Sequence, residues 1–197
     1  MAKSANLLVD ALGRPDRVGL LLPLHWQTVA LLLAGAATGA TVVLVEDAGD
    51  LAGCGAAFVA AQDAEAALDA GVDDVLALSG HPLGAPAGDL PGSVLDYARE
   101  VPSYADHYGG PRPAAPVVEA GGRPVRLLDG VGRGDRLLTS LVPGDPLGAS
   151  VLLTALAAGA SLVLLREGDA AAVAAAERVT LTAGVDVAGL RRLAPKP

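Results

Sequence analysis

With 197 residues, the chain can bury one sizeable core or two small lobes that share one. A formal charge of −8 and a pI near 4.7 argue against a nucleic-acid partner, which needs a clustered positive field, and one Trp, three Tyr and one Phe offer little for base stacking. The single cysteine, Cys54, forbids an internal disulfide and suits a reducing compartment, where a small buried hydrophobe is its expected role.

From the N-terminus, residues 3–12 place Ala5, Leu8, Val9 and Leu12 on one face of a short amphipathic helix that Gly13 ends. Asp10, Arg14, Asp16 and Arg17 interrupt any signal-peptide core, so a cytoplasmic location is expected. Val18–Leu22 is an unbroken apolar run suited to a strand buried on both faces, and Pro23 stops it. A helix is expected from His25 to Ala37, with Gly39 turning the chain into the strand Thr41–Val45. Gly35, Thr38 and Gly39 divide the apolar stretch Val29–Val45, short of the about 20 continuous apolar residues a membrane span needs.

Ala56–Ala60, Ala64–Ala70 and Asp74–Ser79 continue as strand, helix, strand, an alternation that argues for right-handed βαβ crossovers in a parallel sheet. Eight of the 14 prolines then fall between Pro82 and Pro124 and mark a partly ordered connector. Within it, Ser93-Val-Leu-Asp96 resembles a capping signature for a short helix, Val94–Glu100, with Tyr97, Tyr104 and Tyr108 available to pack. The remainder reads as strand Arg136–Val142, helix Leu147–Ala158, strand Ser161–Leu165, helix Ala170–Glu177, strand Arg178–Thr182 and a closing helix near Val187–Leu193. The chain thus divides into a first βα lobe at 1–90, a connector at 91–126 and a second lobe at 127–197, in one compact domain.

The two lobes echo each other. Asp10-Ala-Leu-Gly-Arg-Pro-Asp-Arg17 returns as Asp129-Gly-Val-Gly-Arg-Gly-Asp-Arg136, and Gly39-Ala-Thr-Val-Val-Leu-Val45 returns as Gly159-Ala-Ser-Leu-Val-Leu-Leu165. Two matches at nearly one offset point to a duplicated supersecondary unit.

In an open parallel sheet, ligands meet the loops at the carboxyl ends of the strands. Pro23-Leu-His-Trp26, Glu46-Asp-Ala-Gly49, Ser79-Gly-His-Pro-Leu-Gly84 and Pro143-Gly-Asp-Pro-Leu-Gly148 occupy such positions, which makes His25, Trp26, His81 and Asp145 the ligand-pocket candidates. Each also has a structural reading: helix N-terminal packing for His25 and Trp26, a turn before Pro82 for His81, and a helix cap for Asp145. Asp96, Glu100, Asp106 and His107 lack tight metal-ligand spacing and read as a solvated face. The glycines at Gly130-x-Gly-x-Gly134 and Gly53-Cys-Gly55 precede strands, whereas a dinucleotide fingerprint follows one, so they are turns. The pairs Asp16-Arg17 and Asp135-Arg136 enter equivalent strands at the opposite end and read as turns or ion pairs. Lysine occurs only at Lys3 and Lys196, so a phosphate bound in the core would depend on Arg, backbone amides or a metal.

Gly13-Arg-Pro-Asp-Arg-Val-Gly-Leu-Leu-Leu-Pro23, a helix, and Gly39-Ala-Thr-Val-Val-Leu-Val45 together resemble the start of the adenylate-forming superfamily, which includes acyl-CoA synthetases and other AMP-binding ligases. Gly134-Asp-Arg-Leu-Leu through Pro143 and Gly148 to Gly159-Ala-Ser-Leu-Val-Leu-Leu165 resembles the region that follows their phosphate loop. Leu78-Ser-Gly-His-Pro-Leu-Gly84 with Asp96-Tyr-Ala-Arg-Glu-Val101 resembles, more narrowly, a short uncharacterised actinobacterial family related to that superfamily. The resemblance implies an α/β fold of two similar βα lobes, with mainly parallel strands flanked by helices, as in an N-terminal-domain fragment.

It also implies a Ser/Thr-Gly-rich loop ending in Pro-Lys-Gly between Tyr108 and Gly130, where this chain has Pro111-Arg-Pro-Ala-Ala-Pro-Val-Val-Glu-Ala-Gly-Gly-Arg-Pro124. Asp145 stands where the acyl-pocket motif expects a histidine, and the adenine and ribose motifs and the domain with the catalytic lysine would lie beyond residue 197. The expectation is therefore a non-catalytic binding or interaction module with adenylate-forming activity absent, no catalytic residue, no metal and no cofactor. An acyl or nucleotide small molecule is the expected partner, with no nucleic acid and no membrane. The alternatives are an enzyme working through His25, His81 and Asp145, and a structural protein that self-associates as a homo-oligomer.

Overall fold

The structure is a computed structural model and describes residues 1–111 and 116–193. Uninterrupted runs of Val, Leu and Ala make stable strands only where both sheet faces are covered. The first half of the chain builds such a sheet from β1 (Arg17–Leu21), β2 (Thr41–Leu44), β3 (Ala56–Ala60) and β4 (Asp74–Leu78), paired in parallel in the order β4-β3-β1-β2. Side chains alternate between two cores, as the period of two demands. Val18, Leu20, Val42, Leu44, Phe58 and Leu76 face α1 (Ala2–Asp10) and α2 (Trp26–Thr38). Val43, Val45, Ala57, Val59, Val75 and Ala77 face α3 (Ala64–Asp69). Gly19 belongs to the second face, where a Cβ would lie 2.4 Å from Leu51 Cδ2.

The proline-rich segment joins this sheet. It supplies β5 (Leu95–Asp96) beside β4, α4 (Tyr97–Glu100), β6 (Val118–Ala120) beside β2, and β7 (Arg123–Pro124) antiparallel to β6. The expected helix Val94–Glu100 is shorter, because Leu95 and Asp96 pair with β4 and Asp96, not Ser93, caps α4 by accepting the Ala98 N–H at 2.9 Å. Asp96 is also buried rather than on a solvated face: it accepts the Ala87 N–H at 2.9 Å and lies 3.4 Å from Arg99 Nε. Tyr97 packs edge-on against Phe58 at 5.8 Å and shares a 2.9 Å hydrogen bond with Ser4 Oγ. Asn6 Nδ2 donates to the carbonyls of Ala105 and His107, both at 2.9 Å, and Lys3 Nζ lies 3.3 Å from Asp106, so α1 holds this segment down.

The second sheet contains β8 (Arg136–Thr139), β9 (Ser161–Leu164), β10 (Leu181–Ala183) and β11 (Arg191–Arg192), all parallel, in the order β11-β10-β8-β9. α5 (Pro146–Ala158) connects β8 to β9, and α6 (Ala170–Ala176) lies between β9 and β10. The expected closing helix at Val187–Leu193 is instead a turn leading into β11, and the Leu193 N–H donates to Thr182 O at 2.7 Å. β10 also begins three residues later than the expected Arg178 start, after a positive φ of 54° at Arg178.

The order β3-β1-β2 in one sheet corresponds to β10-β8-β9 in the other. α2 and α5 are both 13 residues long and both end on a left-handed glycine, Gly39 at φ 89° and Gly159 at φ 66°, the geometry that glycine adopts without steric cost. Between the sheets, α5 serves both cores. Ala149, Leu153 and Leu156 meet the core of α1 and α2, while Leu147 and Val151 meet Leu137, Leu181 and Ala183. On the far side of the second sheet, Ala174 of α6 packs with Leu138, Leu165 and Val179. Among the described residues, no helix is long and apolar enough to cross a membrane.

Gly148 in the first turn of α5 leaves no room for a side chain, since a Cβ would sit 1.9 Å from Val142 O and 3.3 Å from Leu141 Cβ. Gly148→Ala should therefore destabilise the protein by about 1–3 kcal/mol through overpacking, despite alanine's better helix propensity of about 1 kcal/mol. Urea denaturation with unchanged slope and a lower midpoint would show it.

Candidate functional site

The loops that follow β1 and β4 come together, and α2 sets their geometry. A helix leaves its first N–H groups without partners, so the preceding side chain is recruited to accept one. His25 does this: its Nδ1 accepts the Gln27 N–H at 3.3 Å. Accepting there requires an unprotonated Nδ1 and places the ring proton on Nε2. Trp26, half exposed, lies with its ring centroid 5.5 Å from that of His25 and donates Nε1–H to Pro82 O at 2.8 Å. His81 makes a local turn in which Nδ1 accepts the Leu83 N–H at 3.1 Å, and its own N–H donates to Ser79 Oγ at 3.2 Å. Arg166, beyond β9, reaches across from the second sheet and donates to Gly80 O at 3.4 Å.

His25 is held in its neutral form. Burial lowers its pKa from the ordinary histidine value, the Arg166 charge lowers it further, and the main chain of His81 opposes the shift. Among the described residues its Nε2 has no well-aligned hydrogen-bond partner, and neither does Gln27 Oε1. They belong to residues lining one void of about 10 Å³.

Asp145 occupies a different place. It caps α5 by accepting the N–H groups of Leu147 at 2.9 Å and Gly148 at 3.1 Å. The adjoining Gly144 abuts the loop after β2, where a Cβ would come 2.4 Å from Val45 O. The structure therefore brings His25, Trp26 and His81 together and sets Asp145 beside the β2 loop. At an offset of 120 residues, His25 and Asp145 are the same cap in two lobes. Gln27 and Arg166 escaped the sequence reading. The offset itself could have flagged Arg166, since it corresponds to Glu46 at the end of the equivalent strand.

The two Asp-Arg pairs do not bond internally. Arg17 pairs with Glu119 at 2.9 Å, a bond that raises the guanidinium pKa, and Arg136 pairs with Glu177. Asp135 instead accepts from Gly132 N–H, Thr180 Oγ1 and Arg191, and these contacts hold its carboxyl below the usual range. Cys54 is buried, and burial pushes its thiol upward, away from the nucleophilic thiolate. Among the described residues no group of three or more potential metal ligands is found.

A second feature lies where β6 turns into β7. Gly121 at φ 56° and Gly122 at φ 69° make the tight hairpin turn, and a Cβ on Gly121 would lie 2.9 Å from Pro146 Cγ at the start of α5. Between hairpin and helix is an open cleft of about 640 Å³ lined in part by Arg123, Arg126, Pro146 and Ser150.

Comparison with known proteins gives one relative in sequence and several in structure. The chain is 38% identical over 195 residues to a TIGR03089 family protein of Mycobacterium tuberculosis, covering 91% of this chain and 79% of that protein. No protein-family model matches the chain. Its fold is similar to the N-terminal domain of FACL13 from Mycobacterium tuberculosis, with TM-score 0.65, 19% identity, and coverage of 93% of this chain and 53% of that one. It is also similar to an acyl-CoA synthetase of Brucella canis, with TM-score 0.73, 18% identity, and coverage of 93% and 40%. The chain thus spans about half of these solved structures or less, and shares the mainly parallel α/β architecture of acyl-CoA synthetase N-terminal domains.

Two outcomes follow from the caps. Asp145→Ala should cost about 1 kcal/mol, within a range of about 0.5–2, while Asp145→Asn should retain most of the stability, as read by chemical denaturation. For His25, the folded pKa lies below the unfolded value of about 6.5, so the unfolded chain binds more protons in the window between them and stability rises with pH there. The His25 contribution should be complete above about pH 6.5 and decline as pH falls through the depressed folded pKa. His25→Asn, which keeps a cap acceptor, should remove that component from a series of melting curves between neutral and mildly acidic pH.

Proposed function

The chain belongs to the TIGR03089 family, and from that membership and its acyl-CoA synthetase-like fold we propose that it is a non-catalytic binding or interaction module. The carrying observation is the segment between Tyr108 and Gly130. It contains no Ser, Thr or Lys, and its described part is occupied by the β6–β7 hairpin, tied into the first sheet by β2 and packed on Pro146. Adenylation needs groups that position phosphates and stabilise their developing charge, and the resemblance implies a Ser/Thr-Gly-rich, lysine-bearing loop at this point.

The partner class we infer is an acyl or nucleotide small molecule carrying negative charge, met in the cleft beside Arg123 and Arg126. The involvement of His25 Nδ1, His81 Nδ1 and Asp145 Oδ1 in local backbone hydrogen bonds favours this reading over an enzyme working through those residues. The corresponding strand orders and helix caps support a duplicated βα unit as the origin of the two lobes, and the lone cysteine supports a cytoplasmic residence.

Pyrophosphate exchange with Mg·ATP and a panel of carboxylic acids should remain at background, and exchange above background would overturn the non-catalytic reading. Thermal shift with AMP, ATP, CoA and acyl-CoA should identify a binder. A ligand at 100-fold its Kd adds about 2.7 kcal/mol, or about 5–11 °C for a chain of this size. The shift should vanish in an Arg123→Glu/Arg126→Glu double variant. A wild-type protein unmoved by all four would sink the small-molecule reading.

A further inference from the structure

The four sheet edges differ in what they offer to another chain. The first sheet ends in β5, two residues long and carrying Asp96, and in β7, Arg123–Pro124, while the second ends in β11, Arg191–Arg192, and in β9. Shortness, charge and proline keep the first three from pairing further. β9 has none of these protections, since Ser161-Leu-Val-Leu164 is uncharged, free of proline and four residues long. It stands beside β8 as β2 stands beside β1, and β2 carries the similar run Thr41-Val-Val-Leu44. There β6 covers the outer edge, with the Val42 N–H donating to Val117 O at 3.0 Å, and Val42, Val43 and Leu44 are buried. In β9, Leu162, Val163 and Leu164 remain half-buried. The N–H groups of Ser161 and Leu165 donate towards β8, to Asp135 O at 3.0 Å and Thr139 O at 2.9 Å, so by alternation the N–H and C=O groups of Leu162 and Leu164 point outward.

We propose that β9 is a dimer interface, pairing antiparallel with β9 of a second copy of this chain about a two-fold axis perpendicular to the sheet. The strand is its own complement. With the axis through Val163, Leu162 lies opposite the partner's Leu164, and each such pair exchanges both of its N–H···O=C bonds. The two copies of Val163 then meet at the closer, non-hydrogen-bonded position and extend the core that holds Ala174 of α6, while Leu162 extends the core under α5. Charge agrees with a second copy as the occupant, because antiparallel strands bring the end of one to the start of the other. Glu167, just past β9, meets the start of the partner's strand, where Arg133 lies against Gly159: a Cβ on Gly159 would sit 3.7 Å from Arg133 Nε. Both side chains are exposed and, among the described residues, neither is in an ion pair. The two-fold axis makes this contact twice. The interface is separate from the cleft beside Arg123 and Arg126.

Sedimentation equilibrium of the whole chain should give a mass near twice 19.5 kDa, and the Leu162 and Leu164 amides should exchange with solvent more slowly as protein concentration rises. Leu164→Pro removes one outward N–H and leaves the β8 ladder its donors, so it should give a monomer with the wild-type circular dichroism spectrum. Glu167→Arg should weaken the dimer by about tenfold, and Arg133→Glu added to it should restore the affinity. This charge exchange decides the matter if Leu164→Pro does not fold. A monomer at all concentrations up to about 1 mM, which leaves the edge to a strand of another protein, would overturn the proposal. So would a dimer left intact by a folded Leu164→Pro or left unchanged by Glu167→Arg.

Discussion

The arrangement depends on α5 being buried from both sides. Its apolar residues run around the helix rather than along one stripe: Ala149, Leu153 and Leu156 pack with α1 and α2, while Leu147 and Val151 pack on the second sheet. A helix in that position cannot shift without opening one of two cores, so it fixes the relation between the sheets. Thr154 Oγ1 accepts the Leu128 N–H at 2.8 Å, which extends the same hold to the chain entering the second lobe. The close approaches at Gly144 and Gly148 are consequences of how near the helix start must come to the β2 loop and to its own preceding turn.

The same constraint explains why residues with chemical potential perform structural work. His25 and Asp145 stand at equivalent entrances to long helices, where unpaired backbone N–H groups must be satisfied. Imidazole and carboxylate solve the same problem in different ways. Asp145 accepts two N–H groups through one oxygen, whereas His25 accepts one and leaves a second ring nitrogen to be accommodated in the protein interior.

The proline-rich segment is more than a tether. Its β5 and β6 lengthen the first sheet at opposite edges, and α1 secures it through Lys3, Ser4 and Asn6. Short strands of two or three residues carry no periodicity of their own, so their pairing is legible only once a neighbouring edge exists. For the same reason β11, made of Arg191 and Arg192, was indistinguishable from the end of a helix: the parallel edge of β10 captured a stretch with no apolar run. Asp96 likewise read as solvent-facing beside Glu100 and Asp106, although the fold turns it inward to satisfy the N–H groups of Ala87 and Ala98.

The sequence by itself determined the mainly parallel α/β class and the main helices. Continuous apolar runs such as Val18–Leu22 and Ala56–Ala60 have one good solution, a strand covered on both faces, and glycines such as Gly39 and Gly159 mark where helices must stop. It also located the loops that carry His25, Trp26, His81 and Asp145. Tertiary structure alone decided which of those loops meet, that Arg166 approaches His25 from the other lobe, and that Gln27 shares its void. Those contacts join elements distant in the chain, and their geometry is set by the packing of α5 between two sheets, which no local pattern records.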